Sequence, residues 1–205
     1  HQVSVADVDS DGKDEIVYGM VTVDDTGAGL YNSGFGHGDM LHVSDFNPNR
    51  AGMEIWSPTE TGNGAKFRDA KTGAVLWSHA NSGDLGRAMV ADIDASVAGA
   101  ECWPIGGPLY SCTGTNLGSA PSICNSAIWW DGDLCRELLD GDKLDKWSAG
   151  TQSRLLTIYN MGSSTYNNST KKNICLQADI LGDWREEMLT RNSSNTALLL
   201  FTSPY

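Results

Sequence analysis

Asp7, Asp9 and Asp11 sit on alternate positions, Gly12 follows them, and Glu15 opens the next apolar run after Lys13 and Asp14. Alternating carboxylates that end in a glycine turn can point around a single centre. With a backbone carbonyl at Lys13 and the carboxylate of Glu15, the loop supplies the oxygen-rich, flexible cage that Ca²⁺ takes. The string resembles the start of an EF-hand loop, but short strand-like runs flank it instead of helical periods. Aspartates also close turns by accepting backbone N–H groups, and that simpler role is weakest where three carboxylates share one loop.

The pattern returns along the chain. Leu41–Asn49 carries Asp45 and Asn47 and closes on Glu54; Met89–Asp94 carries Asp92 and Asp94 and closes on Glu101. A later copy runs from Leu176 with Asp179, Leu181 and Asp183 and closes on Glu187. These positions are the candidate Ca²⁺ ligands of the later loops, which hold fewer carboxylates than the first. A degenerate copy, Trp129-Trp130-Asp131-Gly132-Asp133 with Glu137 after it, lies between the third and fourth. There the turn-forming and cation-binding explanations are evenly matched.

Short apolar runs, acidic turns and a period of roughly 40–50 residues are the signature of a β-propeller. Lys66–Trp77 reads as a hairpin turning at Thr72-Gly73, and Leu138–Leu144 as another turning at Gly141. No stretch keeps a long amphipathic helical period. The expected fold is therefore all-β, a β-propeller with four to five blades of a larger ring and calcium-binding loops. The chain opens at His1 with neither initiator Met nor leader pattern and stops at Tyr205 just after an apolar run. Residues 1–205 are thus expected to be the central part of one domain, cut at both ends.

A net charge of −12 argues against nucleic acid as a partner. No apolar run approaches the ~20 residues that span a bilayer, so no membrane partner is expected. Cys112 and Cys124 flank a Gly- and Ser-rich stretch that a disulfide could close, and the odd total of five cysteines leaves at least one outside any such pairing. In this acidic chain, basic groups recur just ahead of the acidic motifs: His1, His37, Arg87 and Lys171. On a propeller that position is the inner entrance of a blade, which suits an anionic ligand on the axis.

The strings Val5–Ile16, Gly36-His37-Gly38-Asp39, Ile128–Asp133 and Leu176–Glu187 resemble rhamnogalacturonan lyases of polysaccharide lyase family 11, and the similarity runs the length of the chain. Trp-Trp-Asp-Gly-Asp and Gly-Asp-Trp-Arg-Glu-Glu are its specific elements. The resemblance implies an eight-bladed propeller with several bound Ca²⁺ ions, secreted as a monomer by microbes that degrade plant cell walls. It implies as substrate the pectic polysaccharide rhamnogalacturonan I, cut by β-elimination at galacturonate to give unsaturated uronate ends. It also maps His1, His37, Arg87 and Lys171 to the family's catalytic basic residues, and Asn168, Ser169 and Thr170 to its substrate-binding Asn-Gly-Thr segment. Ser169 stands where the family has Gly, an extra Lys172 follows, and a tyrosine of the family site would lie beyond Tyr205.

That chemistry suits these residue types. Removing the C5 proton of a uronate is easier when cations neutralise its carboxylate, because the transition state spreads charge into that group. Lys, Arg and metal can do this, and His or Lys can take the proton. The competing expectation is a non-catalytic calcium propeller that binds a ligand or mediates adhesion. A quinone-class propeller dehydrogenase, suggested by Asp69–Trp77, ranks below both. A glycoside hydrolase would need a carboxylate pair free of metal duty.

Overall fold

The computed structural model describes residues 2–162 and 167–205, with the backbone alone at Thr170. The expected site residue His1 lies outside the described residues, as does the side chain of Thr170. The chain divides into two compact units, His1–Val90 with Ser96–Ala120, and Ala91–Ala95 with Pro121–Tyr205.

Five antiparallel sheets follow one another, each a meander whose neighbours in sequence are neighbours in space. The first holds β1 (Val3–Ala6), β2 (Glu15–Tyr18), β3 (Val21–Val23) and β4 (Gly29–Asn32). The second holds β5 (His42–Ser44), β6 (Glu54–Pro58), β7 (Ala65–Asp69) and β8 (Val75–His79). The third holds β9 (Ala88–Ala91), β10 (Glu101–Pro104), β11 (Pro108–Tyr110) and β12 (Asn116–Ser119). The fourth holds β13 (Ser126–Ile128), β14 (Glu137–Asp140), β15 (Lys143–Ser148) and β16 (Thr151–Thr157). The last has three strands, β17 (Leu176–Ala178), β18 (Glu187–Arg191) and β19 (Leu198–Phe201). The chain is all-β, with five β-propeller blades. Among the described residues its only helical pieces are the 3-10 turns Ile158–Met161 and Ser169–Lys171. The degenerate copy at Asp131–Glu137 belongs to a complete four-stranded blade.

Apolar and aromatic side chains on the middle strands explain the packing. In the first unit Trp56, Phe67 and Trp77 stack, with Phe67 and Trp77 nearly parallel at 5.1 Å between centroids. Leu85, Val90 and Cys102 close around them. The indole N–H of Trp77 donates to the Cys112 carbonyl at 2.9 Å, whereas that of Trp56 is buried without a partner. In the second unit Ile128, Trp130, Leu139, Leu144 and Met188 form the core.

The Thr72-Gly73 hairpin forms as expected. Asp69 accepts from the Thr72 amide at 2.6 Å, and Gly73 takes φ +73° where a side chain would strike the Tyr31 ring. The disulfide across Cys112–Cys124 does not form, and all five cysteines are free thiols. The two cysteines are buried in different units of the chain. Cys112 faces the first core, and its thiol donates to the Ala98 carbonyl at 3.4 Å; Cys124 is buried in the second unit. No helix is long and apolar enough to cross a membrane.

Phe67 is fully buried and stacked. Phe67→Ala is expected to cost about 3–5 kcal/mol through lost contacts and a residual cavity, and Phe67→Leu distinctly less. Urea unfolding of the two variants beside the parent measures it; equal losses would mean that aliphatic bulk recovers nothing and that the ring stack itself carries the stability.

Candidate functional site

Each blade begins its second strand with a glutamate: Glu15, Glu54, Glu101, Glu137 and Glu187, all essentially without solvent exposure. In four of them one carboxylate oxygen is a clamp on the preceding acidic loop. Glu15 Oε2 accepts from the Val8 amide at 2.8 Å; Glu54 Oε2 accepts from Phe46 and Asn47 at 2.9 and 3.1 Å. Glu137 Oε2 accepts from Trp130 and Asp131 at 3.1 and 3.3 Å; Glu187 Oε2 accepts from Ile180 and Leu181 at 2.9 and 3.0 Å. A buried carboxylate is tolerated only when paired or hydrogen-bonded, so the second oxygen decides what else each loop requires.

In the first loop that oxygen, Glu15 Oε1, is buried with no hydrogen-bond partner. Ligand atoms of Asp7, Asp9 and Glu15 lie within 4.8 Å of one another, and so do those of Asp11, Glu15 and Asp25. Asp7 also accepts from the Asp11 and Gly12 amides at 3.1 and 3.0 Å, so the turn-forming role operates alongside the clustering. The side chain of Lys13 leaves the loop for Asp25 at 2.7 Å, and that contact raises its pKa. Either group, Asp7 with Asp9 and Glu15 or Asp11 with Glu15 and Asp25, is compact enough to hold a metal ion.

The other loops differ. In the second, Asp45 is exposed, Asn47 accepts from the Asn49 amide at 3.1 Å, and Arg50 donates to Glu54 Oε1 at 2.8 Å. Asp92 and Asp94 belong to the second unit and Glu101 to the first. Burial, and then the nearby charges of Asp94 and Asp133, push the Asp92 carboxyl up. In the fourth, Lys146 stands among Asp131, Asp133 and Glu137. In the fifth, Asp179 caps the turn by accepting from Gly182 and Trp184, and Asp183 pairs with Arg185 at 2.6 Å, which holds its carboxyl low.

A pocket of about 400 Å³ opens in the first unit, lined by Gln2, Tyr18, Met20, Asn32 and His37 among others. His37 sits on the glycine-rich run Gly34–Gly38, which backs against the turn after β6. The Glu60 amide donates to the His37 carbonyl at 2.7 Å, and the Thr61 hydroxyl donates to the Phe35 carbonyl at 3.1 Å. A Cβ on Gly38 would collide with the Pro58 carbonyl. This close approach brings His37 Nε2 to 3.3 Å from Glu60 Oε2 and 3.9 Å from Asp39 Oδ1, a trio compact enough to hold a metal ion. Glu60 belongs to no repeat, and nothing in the sequence marks it.

Beneath the same pocket Arg68 is fully buried on β7. It donates to the carbonyl of Gly19, a lining residue, at 2.9 Å, and to the Ser33 and Ser57 hydroxyls at 2.9 and 3.2 Å. Burial lowers its pKa to about 10, still well above neutral, so a positive charge with neutral hydrogen-bond partners lies under the wall.

Arg87 is half-buried just before β9 in the first unit, and its carbonyl accepts from the Ile105 amide at 3.0 Å. Lys171 is exposed at the end of the 3-10 turn Ser169–Lys171 in the second. That turn is conformationally costly: Asn168, Ser169 and Lys172 all take left-handed φ, at 55°, 46° and 55°. Lys172 is anchored on Asp140 at 2.9 Å. Trp130 is core, whereas Trp129 meets Trp184 edge-on at 6.2 Å and lies under the Arg136 guanidinium.

A family model described as rhamnogalacturonan lyase family 11, C-terminal domain, matches residues 1–205. The rhamnogalacturonan endolyase YesW of Bacillus subtilis (strain 168) is 47% identical over 209 residues, covering 99% of this chain and 33% of YesW. The rhamnogalacturonan exolyase YesX of the same organism is 44% identical over 225 residues, covering 100% of this chain and 37% of YesX. The crystal structure of YesW superposes with a TM-score of 0.94 at 47% identity, over 99% of this chain and 35% of that one. A Bacillus licheniformis rhamnogalacturonan lyase of PL11 superposes with a TM-score of 0.93 at 47% identity, over 98% and 35%. The chain spans about a third of the curated relatives it matches.

Two substitutions test the local geometry. Gly38→Ala is expected to lower stability by about 1–3 kcal/mol by overpacking against Pro58. Ser169→Gly is expected to raise it by about 1 kcal/mol by relieving a left-handed residue. Thermal melting reads both, and a destabilised Ser169→Gly would show that the serine compensates for its backbone strain.

Proposed function

The chain belongs to rhamnogalacturonan lyase family 11, and on that premise we propose that the protein carrying it is a secreted, monomeric polysaccharide lyase that cuts the rhamnogalacturonan I backbone of pectin by β-elimination. The observation that carries this reading is the family match along all of residues 1–205. The pocket beside the His37–Asp39–Glu60 trio, with a buried guanidinium behind it, supports it.

In the reaction the C5–H bond of a galacturonate breaks, a C4=C5 double bond forms, and the bond from C4 to the linking oxygen breaks. That oxygen leaves with a proton. Arg87, always charged, suits the uronate carboxylate and not the proton. His37 and Lys171 are the two groups able to take the proton, and Asn168, Ser169 and Thr170, which precede Lys171 in sequence, meet sugar hydroxyls. Glu60 and Asp39 fix the orientation of the His37 ring. Ca²⁺, when bound by Asp7, Asp9, Asp11 and Glu15, would supply positive charge that braces the loop. Further ligands are proposed at Lys13, Asp92, Asp94, Asp179, Leu181, Asp183 and Glu187.

Full-length enzyme given rhamnogalacturonan I is expected to develop the ultraviolet absorbance of an unsaturated uronate. Lys171→Ala, Arg87→Ala and His37→Ala should each lower the rate by about 10²–10⁴-fold, and a chelator should lower it for the parent. Whichever of Lys171→Ala and His37→Ala abolishes the acidic, ascending limb of the pH–rate profile identifies the proton acceptor. Folded, calcium-loaded parent that yields no absorbance but retains the polysaccharide would be a binding propeller instead.

A further inference from the structure

The fourth blade's acidic loop contains a cation that belongs to the chain. Leu138 on β14 pairs with Asp145 on β15, so the next antiparallel step sets Lys146 against Glu137. The Lys146 ammonium donates to Asp131 Oδ2, to Asp133 Oδ2 at 2.7 Å and to Glu137 Oε1 at 2.8 Å. An ammonium has three N–H donors, and here each meets one carboxylate. Those carboxylates lie within 4.8 Å of one another, as do those of Asp7, Asp9 and Glu15 in the first loop. The glutamate clamp is also shared, since Glu137 Oε2 holds the Trp130 amide as Glu15 Oε2 holds that of Val8.

The two loops part at the third strand. In the first blade Ile16 pairs with Val23, and the chain continues into Asp24 and Asp25, which add negative charge near Glu15. Glu15 Oε1 there is buried without a partner. In the fourth blade the equivalent oxygen, Glu137 Oε1, is satisfied by Lys146. A metal ion that binds carboxylates at roughly 2.3–2.6 Å would need the volume the ammonium already fills.

We propose that Lys146 is a built-in substitute for a divalent cation, so that the fourth blade's loop is held without metal while the first blade's loop requires it. Arg50 serves Glu54 in the second blade in the same way, donating to its Oε1 at 2.8 Å and also to Asp69. The inference stands on side-chain geometry and does not depend on the lyase reaction. It divides the acidic loops, alike in sequence, into two classes with opposite responses to chelation. It also makes the Lys146 position a latent Ca²⁺ site.

The test uses the full-length enzyme. After removal of metal and titration with Ca²⁺, Lys146→Met is expected to bind one more Ca²⁺ per chain than the parent. Its melting temperature should fall in chelator and return on adding Ca²⁺, while Lys146→Arg should match the parent in stoichiometry. An unchanged stoichiometry, with a melting temperature that Ca²⁺ does not restore, would overturn the proposal. Hydrogen exchange on the unmodified enzyme decides independently of whether the variant folds. Chelation is expected to speed exchange of the Val8, Asp11 and Gly12 amides by about tenfold or more and to leave those of Trp130 and Asp131 unchanged. Equal acceleration in both loops would show that the fourth also depends on metal, and no acceleration in the first would show that neither does.

Discussion

A carboxylate buried at the start of a strand is the constraint around which each blade is organised. Burying an ionised oxygen is costly unless hydrogen bonds or charge compensate it. Glu15, Glu54, Glu137 and Glu187 meet half of that requirement with backbone amides from the loop they close. This fixes the path from first strand to second, and hence where the aspartates of the loop point. The same glutamate that orders the loop therefore creates the demand for a cation beside it. Acidic loops of this kind are consequences of strand pairing as much as ligand sets, and the aspartates serve both as turn formers and as charge.

The pocket follows a similar logic on its own scale. Gly38 permits the backbone to approach Pro58, and that approach carries His37 to Glu60 and Asp39. Behind it, Arg68 bonds to Gly19, Ser33 and Ser57, locking the first blade's lower strands to the second blade's middle strands. One buried guanidinium thus supports the wall mechanically and projects positive charge toward the cavity in a low-dielectric setting, where the charge is least screened.

The architecture was legible because strand, acidic loop and glutamate recur at blade spacing, and the pattern was strong enough to flag the degenerate copy now seen as β13–β16. His37 could be singled out because it stands just ahead of an acidic motif, and Asp39 because it shares with His37 a string that resembles the family. Glu60 could not, since only the folding of the β6–β7 turn against Gly36–Gly38 makes it a neighbour. Lys146 and Arg50 were hidden for a related reason. Each lies outside the recurring acidic string, one across a strand pair and the other inside a loop, so motif spacing carries no trace of them. The Cys112–Cys124 pairing failed because flanking a polar stretch says nothing about burial, and both thiols are core side chains.

The charge balance ties these observations together. In a chain of net charge −12, much of the scarce basic content is committed internally. Arg50, Arg136, Lys146, Arg154, Lys172 and Arg185 each hold a carboxylate. Cations spent in this way stabilise blades but add little field at an opening. A lysine can satisfy a loop permanently, without depending on the surroundings, at the expense of a side chain that could have met a substrate. A metal ion satisfies a loop only where the ion is abundant, but it brings two charges and consumes no side chain. An acidic propeller with many such loops to brace therefore gains from using both kinds of cation. Lysine or arginine then belongs in blades whose loops need only be rigid, and metal in those whose charge must also be neutralised.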